Sequence, residues 1–320
     1  MAVLVGIDEA GYGPILGPLV VSSAAFSVPD ELLGSDLWQK LSRAVSKKKT
    51  RLNGRLLITD SKKAYSKSAG IGHLRRAVLA HLSCLQSRPA DAAGLLRILC
   101  WRSCPRLSGY PWYENLKDFP LGANADDIQI AASVLENSFA ANEIKLLSLK
   151  ADCLDVGHYN RMVSAVKNKA RVLFTAVSAL VKDAFDNCPE GQTIQIIIDR
   201  QGGRINYRNS LSLMFPQMEI QVIRQDAAIS SYQLTGQGRV ARIHFTTKAD
   251  TRFLPVALAS MTAKYIRQVL VKALNEYFIG HCKELKPTAG YWQDGLRFIK
   301  DVQTNLPALK YDEQKLIRTR

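Results

Sequence analysis

The run Val3-Leu4-Val5-Gly6-Ile7 ends in two adjacent carboxylates, Asp8 and Glu9, and the chain then enters a Gly/Pro-rich segment, residues 11–18. A second apolar run, Leu19 to Val28, follows at once. Two short apolar runs around such a segment predict paired strands joined by a hairpin-like turn. The first strand therefore brings two acids to the end of a sheet. Buried there, they need a cation or a Lys/Arg pair beside them, because an unpaired buried charge is very costly. Gly11 and Gly13 leave the backbone bare next to the acids, so another chain can approach closely. This combination suits phosphate-backbone chemistry.

The β-branched run Ile194 to Ile198 predicts a central strand buried on both faces, and it too ends in an acid, Asp199. Further strands are expected at Leu56–Ile58, Ile144–Leu149 and Met218–Ile223, with a hairpin of Tyr232–Leu234 and Val240–Phe245 across residues 235–238. Helical periodicity marks residues 69–86, 126–142, one long stretch over 156–185, residues 255–278, and a short helix within 290–302. Residues 87–124 hold several Pro and Gly together with Trp101, Tyr110, Trp112 and Tyr113. They read as an irregular insertion or lid, whose aromatics either pin it down or stack on bases. The alternation of helices and strands predicts a three-layer α/β fold with a mixed central sheet. The expected organisation is one domain over residues 1–320, with insertions near 87–124 and 204–240 and a helical extension from about residue 279.

Charge narrows the partners. Lys plus Arg number 43 against 28 Asp plus Glu, a formal net charge of +15. That imbalance favours a polyanion, nucleic acid first and an anionic membrane second, although a generally basic soluble protein has the same totals. The six cysteines show no C-x-x-C spacing and the five histidines do not cluster with them, which fits reduced thiols and no zinc site. No basic leader precedes the first apolar run and no apolar run is long enough for a bilayer, so a cytoplasmic monomer without membrane attachment is expected.

A further acid, Asp250, lies in Lys248-Ala249-Asp250 just before a helical stretch. Asp8, Glu9, Asp199 and Asp250 gathered at one sheet edge would bind a hard divalent cation through oxygen, Mg²⁺ or Mn²⁺. Two ions about 4 Å apart could activate a water and stabilise the leaving 3′ oxygen of a phosphodiester. Strand-end acids are as often ordinary turn residues, and spacing alone leaves both readings open.

The segment Gly-Ile-Asp-Glu-Ala-Gly-Tyr-Gly-Pro-Ile-Leu-Gly-Pro-Leu from residue 6 resembles the Asp-Glu-Ala-Gly-Arg-Gly-Pro-x-x-Gly-Pro motif of type 2 ribonucleases H, the ribonuclease HII and HIII group. Asp60-Ser61-Lys62-Lys63 resembles that family's Asp-Ser-Lys-Lys element, and Ile197-Ile198-Asp199 its second acidic strand. Lys248-Ala249-Asp250 and the block Ala257 to Arg267, then Gly290-Tyr291, are similar to its later motifs, all in the family's order. The resemblance implies a ribonuclease H-like fold. It also implies a phosphodiester hydrolase that cuts RNA in RNA–DNA hybrids, or at ribonucleotides embedded in duplex DNA, and leaves 3′-hydroxyl and 5′-phosphate ends. By the same resemblance Asp8, Glu9, Asp199 and Asp250 are the catalytic, metal-binding quartet. The backbone of Gly11, Tyr12 and Gly13 would read the 2′-hydroxyl that separates RNA from DNA. Lys62, Lys63, Ser260 and Lys264 would bind substrate, the lysines at its phosphates, and Tyr291 would pack against the sugar beside the cleavage point. Read without the family, Tyr291 is a core or turn tyrosine and Lys63 a solvated charge. Two positions depart from the pattern: Tyr12 stands where the family has Arg or Lys, and Gln268 where it has Asp. The alternative they leave open is a non-catalytic nucleic-acid binder on the same fold.

Overall fold

The computed structural model describes residues 1–65, 70–236 and 238–319. Ala69, at the expected start of one helix, and Gln237, in the expected hairpin turn, lie outside the described residues. The strands are β1 (Ala2–Ala10), β2 (Leu19–Val28), β3 (Val45–Ser46), β4 (Leu56–Leu57), β5 (Lys145–Leu154), β6 (Thr193–Asp199), β7 (Glu219–Gln225), β8 (Ile229–Gly236) and β9 (Arg239–Thr246). Seven of them form one mixed sheet in the order β5-β2-β1-β6-β9-β8-β7, while β3 and β4 pair separately. β1 runs antiparallel to β2 and parallel to β6, and β6 runs parallel to β9. The longer helices are α3 (Gly72–Cys84), α4 (Ala92–Leu99), α6 (Ala125–Ala140), α7 (Val156–Val166), α8 (Lys169–Asp186), α10 (Leu254–His281) and α11 (Trp292–Asn305). Shorter ones are α1 (Leu37–Lys40), α2 (Ser61–Ala64), α5 (Cys104–Leu107), α9 (Arg208–Met214) and α12 (Glu313–Leu316).

Side chains alternate across β1, which divides the interior into two cores. Val3, Val5 and Ile7 pack with α7, α8 and α9, whereas Leu4 and Ala10 pack with α3, α4, α6 and α10. Helices therefore cover both faces, the three-layer α/β architecture expected from the sequence. Gly6 lets α10 press directly on β1, since a Cβ there would sit 2.2 Å from the Pro255 carbonyl carbon and from the Val256 nitrogen. No helix among the described residues is long and apolar enough to cross a membrane.

Several elements differ from the sequence reading. β1 continues past Ile7, and Asp8 and Glu9 remain in register with Ser22 and Val21. The single helix expected over 156–185 is two, separated by Lys167 in the left-handed region (φ 51°) and by Asn168, whose side chain accepts a hydrogen bond from the Arg171 amide and caps α8. Residues 87–124 are not irregular throughout. They carry α4 and α5 and bury Tyr110, Trp112 and Tyr113, with Trp112 against Phe278 of α10, so those three rings hold the segment down and are not free to stack on bases. Within 204–240, α9 lies under the sheet and β7 and β8 extend it.

Candidate active site

β1 and β6 are parallel neighbours, so their carboxyl ends emerge at the same sheet edge, where ligands of open α/β sheets are usually received. Register pairs Ile7 with Ile198, which puts Asp8 and Asp199 at the next step of the two strands. A third element joins them through a backbone bond: the Ala249 amide donates to Asp199 Oδ1 at 2.7 Å. This bond fixes the corner that carries Asp250. α10 supplies the cover. Asp8 lies on the same strand face as Gly6, two residues on, and is hydrogen-bonded to Ser260, whose hydroxyl lies 3.1 Å from that of Ser61.

The acids share one electrostatic field. Asp8 is only 7% exposed, and burial, then the charges of Glu9 and Asp199, hold its carboxyl well above the usual range. Burial and Asp199 push Glu9 up to about 7, with Asp250 adding to the shift. Asp199 is raised to about 6 by burial and by Asp250, and Asp250 is itself raised by burial and by Asp60. Lys62 opposes the shifts of Glu9, Asp199 and Asp250 but does not cancel them. Such a cluster of carboxylates, short of compensating charge, is the setting in which a divalent cation is stabilised.

The donor set is hard oxygen, which suits Mg²⁺ or Mn²⁺. Among the described residues no three His, Cys, Asp or Glu side chains are close enough together to hold a metal ion by themselves. The strand geometry gives one reason: successive side chains point to opposite faces, so Asp8 and Glu9 diverge. Mg²⁺ typically takes one or two carboxylates and fills its octahedron with water and substrate phosphate, and the arrangement fits that mode of binding.

The remaining sequence-predicted residues fall around this edge. Gly11 adopts φ 94°, and a Cβ there would sit 2.6 Å from Arg267 Cδ. Tyr12 is 39% exposed, and its hydroxyl pKa is raised by burial and by Glu9. Lys62 and Lys63 are exposed on α2, whose first turn is capped by the Asp60 carboxylate. Lys264 lies over the Tyr65 ring, and burial together with Arg267 and Lys62 pulls its pKa down to about 8. Tyr291 is half exposed and is not a core residue. It is carried to the turn by Gly290, whose carbonyl accepts the Ile15 and Leu16 amides at 2.8 and 3.2 Å. Two residues lay outside the site residues expected from sequence, Asp60 although it opens the Asp60–Lys63 motif. Asp60 raises the pKa values of both Asp199 and Asp250 and so belongs to the acid cluster; its place beside Lys62 was the available signal. Arg318 braces the 11–14 turn through the Gly11 and Pro14 carbonyls, and nothing local in the sequence marks it.

A curated ribonuclease HII from Methanococcus maripaludis is 45% identical over 47 residues, 15% of this chain. Over that stretch the chain is similar to a type 2 ribonuclease H. It matches about a fifth of the length of that curated relative, 20%. No family model matches the chain. Among solved structures, ribonuclease HII of Archaeoglobus fulgidus, determined in a complex with PCNA, aligns over 99% of this chain and 94% of its own at 17% identity, with a TM-score of 0.46. Bst-RNase HIII in complex with Mn²⁺ aligns over 99% of this chain and 66% of its own at 14% identity (TM-score 0.42). Aquifex aeolicus RNase H3 aligns over 98% and 71% at 15% identity (TM-score 0.40).

Proposed function

We propose that this chain is a Mg²⁺- or Mn²⁺-dependent endoribonuclease that cuts RNA in RNA–DNA hybrids or at ribonucleotides embedded in duplex DNA. What supports the reading is that Asp8, Glu9, Asp199 and Asp250, from three separate segments, are desolvated and linked by repulsion near the carboxyl ends of β1 and β6. A protein that only bound nucleic acid would gain nothing from buried carboxylates that repel phosphate. Bound there, two divalent ions would supply a nucleophilic water and charge neutralisation for an in-line displacement.

The residues around the acids have separable tasks. Gly13, with open space where a Cβ would stand, leaves room for a ribose beside the 11–13 backbone, as a 2′-hydroxyl reader requires. Lys62, Lys63 and Lys264 hold flanking phosphates, and Ser260 orients Asp8. Tyr291, exposed beside the turn, offers its ring to a sugar. Tyr12 in place of a cation favours the second reading, a binder without catalysis. Cleavage assays with hybrid, single-ribonucleotide duplex and all-DNA duplex, each with Mg²⁺, Mn²⁺ or chelator, separate the two. Cation-dependent cutting of the first or second substrate is expected, with Asp8→Asn abolishing it while hybrid affinity stays within about twofold. Undiminished cutting by Asp8→Asn removes the mechanism, and no cutting of any substrate leaves the binder.

A further inference from the structure

The segment following α12 lies antiparallel to the 11–16 turn. Leu16 bridges to Ile317, and the Arg318 amide donates to the Ile15 carbonyl at 2.8 Å. This strap inserts the Arg318 side chain beneath the turn. The guanidinium is only 4% exposed, and its Nη2 donates to the Gly11 and Pro14 carbonyls. Nε and Nη1 are buried and have no hydrogen-bond partner among the described residues. Its guanidinium lies over the Tyr159 ring, 4.9 Å from the centroid, feels the like charge of Arg267, and has no carboxylate partner among the described residues. A buried cation with unmet donors is costly, and an anion relieves it.

Arg318 lines a cavity of about 280 Å³ together with Tyr12, Gly13, Tyr159, Lys169 and Thr319, and among the described residues no Asp or Glu lines it. Lys169 is the first residue of α8, an 18-residue helix whose first turn is capped by the Asn168 side chain. Two cations and several hydroxyls call for a tetrahedral oxyanion. Tyr12 links the cavity to the acid edge, since its phenol senses the charge of Glu9.

We propose that this cavity is a phosphate subsite, in which Arg318 and Lys169 hold a backbone phosphate of the bound nucleic acid. The strap thereby supplies from residue 318 the cation that position 12 lacks. The inference rests on the reading of this chain as a nucleic-acid hydrolase, and the test keeps the two apart. The full chain, in chelator so that nothing is cut, is titrated with a fluorescent RNA–DNA hybrid across a salt series, and its melting is followed with and without inorganic phosphate. Lys169→Gln and Arg318→Gln are each expected to weaken hybrid binding about five- to tenfold and to flatten the salt slope by about one. Arg318→Gln also loses a brace of the turn, whereas Lys169→Gln leaves the strap untouched, so the latter decides if the former fails to fold. Wild-type affinity and slope in Lys169→Gln overturn the subsite, as does inorganic phosphate protecting the protein while hybrid binding is unchanged in both variants. If the wild type binds no hybrid at all, the nuclease reading falls. Phosphate protection lost in both variants then upholds an anion site, and no protection overturns it.

Discussion

Replacing Asp199 with asparagine should make the cation-free protein more stable while disabling it. The side chain accepts from the Ala249 amide through Oδ1, and an asparagine oxygen can keep that bond. What the substitution removes is charge. The carboxyl is pushed from 3.8 to about 6 in the folded protein, first by burial and then by Asp250. Between those values the folded chain retains a proton that the unfolded chain has released, so stability falls as pH rises through the window and the penalty is complete above pH 6. One pKa unit corresponds to about 1.4 kcal/mol, and partial solvent access together with coupling to the other acids reduces the sum, leaving about 1–3 kcal/mol. Denaturant unfolding in chelator at pH 7.5 should therefore place Asp199→Asn above wild type by that amount, and at pH 3.5 the two should coincide. Adding Mg²⁺ should stabilise wild type more than the variant, closing or reversing the gap. A variant no more stable than wild type at pH 7.5, or a gap of equal size at both pH values, would refute the argument that the acids repel one another in a shared desolvated site.

Two further outcomes test the frame around the site. Gly6→Ala places a methyl 2.2 Å from backbone atoms of Pro255 and Val256, neither of which can swing aside, so a loss of about 3 kcal/mol or more in urea unfolding is expected; an unchanged midpoint would mean that α10 does not press on β1 as described. Tyr12→Arg adds a cation at the turn and should tighten hybrid binding several-fold with a salt slope steeper by about one; the same slope as wild type would show that position 12 does not face the strand.

Much of this was legible because burial writes directly into sequence. Leu19–Val28 and the Ile194–Ile198 core of β6 are apolar runs that burial on both faces demands, and their strands lie where those runs predict. The acids that end β1 and β6 were legible for the same reason, since a charge at the end of a buried run is conspicuous. Misreadings came where a local signal was weak or ambiguous. The break between α7 and α8 contains neither Gly nor Pro and rests on one left-handed lysine and an asparagine cap. The Pro and Gly of 87–124 suggested looseness, yet Trp112 and Tyr113 find an apolar bed on α10 that only the tertiary fold supplies. Arg318 was out of reach altogether, because its partners lie more than 300 positions earlier in the chain, at 307 and 304 residues' separation.

That separation has a consequence for biosynthesis. Translation delivers the turn that follows β1 some 300 residues before the segment that braces it, at separations of 307 and 304 residues. During synthesis the turn lacks its guanidinium prop, and closing so long a loop is entropically slow. Asp8 and Glu9 are thus made well before their turn is framed, and a nascent chain carries the first ingredients of the centre before it carries the centre.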